Sequence, residues 1–171
     1  MLKLCEMHPE TFGSTVSHTT RKPRTGEAEG THYYYVSDAE FCALISQEAF
    51  AEFTVFSGDY YGTSKQTIAD QTAKGLVVLL DIEMEGVKQM KRNPDIDARY
   101  VFIKPPSFEA LEARLRRRGT EKEGSIQKRL ARARAEIEYS DMPGVHDIII
   151  VNDDLERAFR ELDEFVCQPR M

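Results

Sequence analysis

Between Ser17 and Glu27 the chain reads SHTTRKPRTGE, which sets hydroxyls, two closely spaced arginines and a carboxylate on one short segment. Pro23 and Gly26 keep that segment from becoming a helix. Guanidinium groups are planar forks matched to phosphate oxygens, so Arg21 and Arg24 read as a phosphate clamp. A solvated basic loop accounts for the same composition. Downstream, Tyr60 and Tyr61 stand between Gly58 and Gly62, with Thr63 following. Phenol hydroxyls on a tight turn can hydrogen-bond phosphate while the backbone approaches a ligand closely. Core packing is the simpler account, more so for Tyr60 than for Tyr61.

Carboxylates form a second set. Glu52 is an acid in an otherwise aromatic stretch and is hard to explain as packing; a carboxylate is the natural acceptor for the paired N–H donors of a guanine edge. Asp81 and Glu83 directly follow the apolar run Leu76–Leu80. Ligands gather at the carboxyl ends of strands in open α/β sheets, where two acids can meet a metal-bound water or a base. Acids also suit the start of a helix, and the two readings weigh equally here. Arg114 and Arg118 lie four apart on one helix face, as Arg129 and Arg132 share a face of the next. Two arginine-bearing helices joined by the polar segment Gly119–Gly124 could close over a polyphosphate, although a solvated charged face is the plainer reading.

The elements that would position these groups follow from periodicity. Leu76–Leu80, Tyr100–Ile103 and Ile148–Val151 are continuous apolar runs, the signature of strands buried on both faces of a helix-covered parallel sheet. Thr15–Ser17, Tyr33–Val36 and Phe50–Phe56 are further strand candidates. Met1–Met7 reads as the tail of a helix stopped near Pro9. A capping box at Ser37–Glu40 opens a helix, and Gly75 closes one over Ser64–Lys74. Amphipathic helices are expected over Ser107–Arg117, Ser125–Tyr139 and Asp153–Val166, the last with Leu155 and Ala158 on its stripe. Alternating buried strands and helices indicate an α/β fold in one domain over residues 1–171.

Composition sets the limits. The 171 residues are 41% apolar and 30% charged, with net charge −6. That balance argues against a general nucleic-acid binder, so any anion site is local. Cys5, Cys42 and Cys167 are odd in number and form no CxxC, against a disulfide framework or zinc site. The histidines have no ligand spacing, and no metal site of the chain's own is read. No apolar run spans a membrane, and a cytoplasmic monomer is the expectation.

Six segments in order, Ser17–Glu27 (SHTTRKPRTGE), Phe56–Thr63 (FSGDYYGT), Leu80–Gly86 (LDIEMEG), Pro105–Ser107 (PPS), Arg118–Thr120 (RGT) and Ile150–Asp154 (IVNDD), resemble guanylate kinases. The resemblance runs over nearly the whole chain. It implies a P-loop kinase fold with a GMP-binding insertion over about residues 17–63 and a helical lid over about 109–139. It also implies ATP-dependent phosphorylation of GMP or dGMP with Mg²⁺. Arg21, Arg24, Tyr33 and Tyr61 would hold the GMP phosphate, and Glu27 would also belong to the GMP-binding set. Ser17, Glu52, Thr63 and Glu83 would read the guanine edge. Asp81 would sit near the phosphates and magnesium. Arg114, Arg118 and Arg129 would match the lid arginines, and Asn152 would lie by the ATP base.

Two departures from the family pattern stand out. Glu83 occupies a position where the family usually has Asp, which lengthens the side chain and preserves the acceptor. The family's opening strand and G-x-x-x-x-G-K-[ST] loop are not found, and Met1 aligns just beyond that loop. The expectation is a truncated start lacking the first, central strand, with feeble GMP binding and little turnover. An alternative is a non-catalytic guanylate kinase-like module that recognises GMP or a phosphopeptide.

Overall fold

Local sequence chemistry accounts for most element boundaries in the computed structural model, which describes residues 1–117 and 123–169. The described residues group into two units, Met1–Ile96 and Asp97–Met171.

In the first unit, helix α1 (Leu2–Met7) leads to strand β1 (Phe12–Ser14). Strands β2 (Ser17–Thr19) and β3 (Tyr33–Tyr35) flank the arginine loop. Helix α2 (Asp38–Ser46) follows the capping box as read: the Ser37 side chain accepts from the Glu40 N–H, and the Glu40 carboxylate accepts from the Ser37 N–H. Strands β4 (Phe50–Phe56) and β5 (Asp59–Ser64) form a hairpin, then come α3 (Lys65–Thr72), β6 (Val77–Leu79) and α4 (Met84–Arg92). Ser57 and Gly58 both have positive φ, 55° and 96°. That is the two-residue turn whose twist suits a hairpin. The four strands order as β3-β2-β5-β4, while β1 and β6 pair in parallel as a separate ribbon. Phe41 is fully buried under the four-stranded sheet, stacked on Phe50 at 4.4 Å and on Tyr60 at 5.1 Å. Gly62 is needed there, because a Cβ would come within 3.0 Å of Phe41, Phe50 and Phe53.

The second unit contains β7 (Val101–Lys104), α5 (Phe108–Arg117), α6 (Glu123–Ser140), β8 (Ile148–Val151) and α7 (Leu155–Cys167). Strands β7 and β8 pair in parallel, Val101 opposite Ile148. Leu115, Ile126 and Leu130 pack together with Phe108 and Leu111, so the apolar stripes of α5 and α6 meet as their spacing predicts. The Arg99 guanidinium donates to the carbonyls of Phe165, Val166 and Gln168, satisfying the C-terminal end of α7. No helix among the described residues is long and apolar enough to cross a membrane.

Several expectations are corrected. The strand expected at Thr15–Ser17 divides into β1 and β2, with Thr15 and Val16 between them. Tyr60 and Tyr61 lie on β5 rather than on a turn, because the Ser57–Gly58 reversal comes earlier and the chain returns to pair with β4. The apolar runs are not buried on both faces: Val77 is 51% exposed, Ile103 45% and Ile149 39%. Among the described residues each of β6, β7 and β8 has one ladder partner, and a two-stranded ribbon offers little width for helices to pack on. Leu155 is 69% exposed at the first turn of α7, where Asp154 caps the helix, and Ala158 is the buried residue of that face.

The capping box yields a modest prediction. Ser37→Ala leaves the Glu40 N–H without its partner and is expected to cost about 1 kcal/mol, lowering the thermal midpoint by about 2–4 °C. Calorimetric or circular-dichroism melting checks it, and an unchanged midpoint would mean that the cap contributes nothing.

Candidate functional site

The loop between β2 and β3 is anchored at its base by hydroxyls. Thr19 Oγ1 donates to the Tyr60 carbonyl at 2.8 Å, and Thr20 Oγ1 accepts from the Tyr60 N–H at 3.0 Å. The Arg21 N–H closes the turn on Thr19 Oγ1 at 3.2 Å. Beyond this anchor Arg21 forms a two-pronged pair with Glu27, each nitrogen 3.0 Å from its oxygen, and Nη1 also donates to the Lys22 carbonyl at 2.9 Å. Those bonds take three of the five guanidinium N–H donors. The Tyr61 phenol is a further hydrogen-bond partner of the guanidinium. The Arg21 guanidinium also sits 5.3 Å from the centre of the Tyr33 ring, and Tyr33 meets Tyr61 edge-on at 6.1 Å.

Glu27 is the organising anion. Besides Arg21, it accepts from the Arg24 N–H at 2.7 Å and from the Tyr35 hydroxyl at 2.8 Å. The Arg21 guanidinium first, then the Arg24 N–H and the Tyr35 hydroxyl, hold its carboxyl down at about 2. A carboxylate with a depressed value stabilises the fold above its ordinary range, near 4.5, and loses that contribution only as pH falls through about 2. Glu27 therefore faces the protein's own donors. Tyr35 is not among the residues the sequence motifs single out; its period-two relation to Tyr33 on one strand face is the signal that points to it.

About the other end of β5 the carboxylates collect. Glu52 is buried on β4 and accepts from the Thr63 N–H at 2.9 Å. Burial pushes its carboxyl above the usual range and nearby Glu83 adds to that, while the bonds from Thr63 oppose it. Ser17 and Thr63, on β2 and β5, share a hydroxyl hydrogen bond of 3.2 Å. Glu83 is the residue preceding α4, but its side chain does not cap the helix. It accepts instead from Thr54 Oγ1. Asp81 is exposed in the segment between β6 and α4. One mixed sheet and the start of α4 thus bring Ser17, Glu52, Thr63 and Glu83 together, and the β2–β3 loop brings Arg21, Glu27 and Tyr33 together.

In the second unit, Arg114 on α5 donates to the Asn152 carbonyl at 2.9 Å, and the Asn152 N–H donates to the Lys104 carbonyl at 2.8 Å. This joins two sequence-predicted residues at the end of β8. Arg129 is half-buried on α6. Arg118, and with it most of the Gly119–Gly124 connector, lies outside the described residues.

Comparison with known proteins sharpens this picture. A family model described as guanylate kinase matches residues 1–169. The guanylate kinase of Schizosaccharomyces pombe is 52% identical over 165 residues, covering 96% of this chain and 81% of that protein. That of Sus scrofa is 44% identical over 166 residues, covering 97% and 83%. A crystal structure of guanylate kinase from Anaplasma phagocytophilum superposes with a TM-score of 0.75 at 29% identity, covering 96% of this chain and 79% of that one.

Proposed function

This chain belongs to the guanylate kinase family of phosphotransferases, and we propose that its first unit is the acceptor site, which takes GMP or dGMP for phosphorylation by ATP. One observation carries this reading: a buried carboxylate, Glu52, stands among ligand-type hydroxyls, and the hydrogen bonds it accepts from Thr63 do not offset its burial, which still raises its pKa. Burying an acid is costly, and the paired N–H groups of a guanine edge would offset the cost. In this reading Ser17, Thr63 and Glu83 complete the base contacts. Arg21, Arg24, Tyr33 and Tyr61 take the phosphate, and Glu27 orients Arg21 without touching the ligand. An acid against a phosphate would repel it, whereas an acid behind an arginine fixes the fork.

On the donor side, Arg114, Arg118 and Arg129 are proposed to neutralise charge on the transferring phosphoryl group, with Asn152 beside the ATP base. Asp81 fits a magnesium ion by its chemistry. It is an exposed hard-oxygen donor following a parallel strand, and Mg²⁺ is usually held by one or two carboxylates together with substrate phosphates. The ion, when bound with ATP, supplies charge neutralisation of the phosphates.

Adenine offers a lone pair where guanine offers N–H groups, so the carboxylates would face it without donors. GMP is expected to bind at least about 100-fold more tightly than AMP at neutral pH. Both nucleotides carry the same phosphate, so the ratio of their affinities isolates the base. As pH falls, Glu52 is protonated earlier than an ordinary carboxylate and stops accepting. The ratio should therefore decline on acidification while pH is still above the usual carboxylate range. Calorimetric titration of the chain with GMP and AMP across pH tests this. Equal affinities, or a ratio indifferent to pH, would contradict it.

A further inference from the structure

Helix α4 grips strand β4 at three places along one face. Glu83, Gly86 and Gln89 are spaced by three, so they share one side of the helix start. Thr54 Oγ1 donates to Glu83 at the first place. At the second, Gly86 leaves room for the buried acid, since a Cβ there would lie 2.8 Å from Glu52 Oε2. At the third, the Gln89 amide makes a pair of bonds with one residue of the strand. Its Oε1 accepts from the Phe53 N–H at 3.1 Å, and its Nε2 donates to the Phe53 carbonyl at 2.7 Å. Because β4 is the outer strand of its sheet, Gln89 takes the place of a neighbouring strand at that rung.

We propose that Thr54 and Gln89 are positioning residues for base recognition, fixing through α4 the spacing between the Glu52 and Glu83 carboxylates. The inference rests on the assignment of those two acids as base readers. Phe53 lies between Glu52 and Thr54, so the Gln89 pair immobilises the backbone on both sides of the reading position. The Glu83 side chain is long and flexible. A longer side chain loses more rotamer freedom on binding unless something already holds it, and Thr54 supplies that hold. Two carboxylates at a fixed separation favour a base that presents two adjacent donors over a base that presents one.

Hypoxanthine tests this because it keeps the ring N–H of guanine and lacks the exocyclic amine. The full chain and the variants Thr54→Val, Thr54→Ser and Gln89→Met are titrated with GMP and with IMP, and thermal midpoints are recorded alongside. Valine matches threonine in shape and removes the donor; serine keeps it. Thr54→Val and Gln89→Met are expected to weaken GMP about ten-fold and IMP much less, so that discrimination collapses. Thr54→Ser should retain the wild-type ratio. A lowered midpoint with unchanged discrimination in Thr54→Val would reduce Thr54 to a structural role and overturn the proposal. If the unaltered chain binds GMP and IMP equally, the base-reading assignment itself fails and takes this inference with it.

Discussion

Glu52→Gln is expected to weaken GMP binding by about 100-fold or more without lowering the thermal midpoint. The carboxylate is acceptor-only, so it can serve the Thr63 N–H and a guanine edge together. An amide has one acceptor oxygen. If that oxygen keeps Thr63, the NH₂ group points donor to donor at the base. If it turns to the base, Thr63 loses its partner in a buried place. Each lost charge-assisted bond is worth about 1.5–3 kcal/mol, enough for the stated effect. Stability moves the other way. Glu52 titrates above its ordinary value, so its contribution to stability is present below the unfolded pKa and is lost as pH rises through the folded one. Burial disfavours the charged form of this acid, a cost that a neutral glutamine does not carry. Tighter folding with lost GMP affinity is the signature of a group kept for binding; equal loss of both would mark Glu52 as structural.

The second large effect belongs to Arg21. Arg21→Lys keeps the charge and is nonetheless expected to weaken GMP by about 10- to 100-fold. The guanidinium holds both Glu27 oxygens and the Lys22 carbonyl in one rigid plane, with the Tyr61 phenol as a further partner. An ammonium has three donors on a flexible stem and cannot hold that arrangement while serving a phosphate. Guanosine, which lacks the phosphate, supplies the control: its affinity should be unchanged. Wild-type GMP affinity in the lysine variant, or an equal loss for guanosine, would remove Arg21 from the phosphate site.

How much of this was legible in the sequence depends on the range over which each feature is encoded. The capping box at Ser37 is a four-residue matter, and the structure follows it. The stripes of α5 and α6 are encoded over a few turns, and they meet through Leu115, Ile126 and Leu130. Strand β5 escaped because its sequence, DYYGTS, has glycine at the centre and polar ends, and only pairing with β4 makes it a strand. Strand β1 is three residues long with Gly13 in the middle, too short to show a period. Motif order singled out Ser17, Glu52, Thr63 and Glu83, which the sheet and the start of α4 set side by side. Their supports did not show themselves. Thr54 stands 29 residues from Glu83, and Gln89 stands 36 from Phe53; each pair is created by α4 packing on β4. No local pattern reports such contacts.

In the function proposed for this chain, one mixed sheet and its arginine loop form a guanine nucleotide acceptor site. A crystal structure of the chain with GMP tests it most directly. The base edge is expected against Glu52 and Glu83, with the phosphate between Arg21, Arg24, Tyr33 and Tyr61. GMP bound with its phosphate away from Arg21, or with its base away from the buried Glu52, would contradict it.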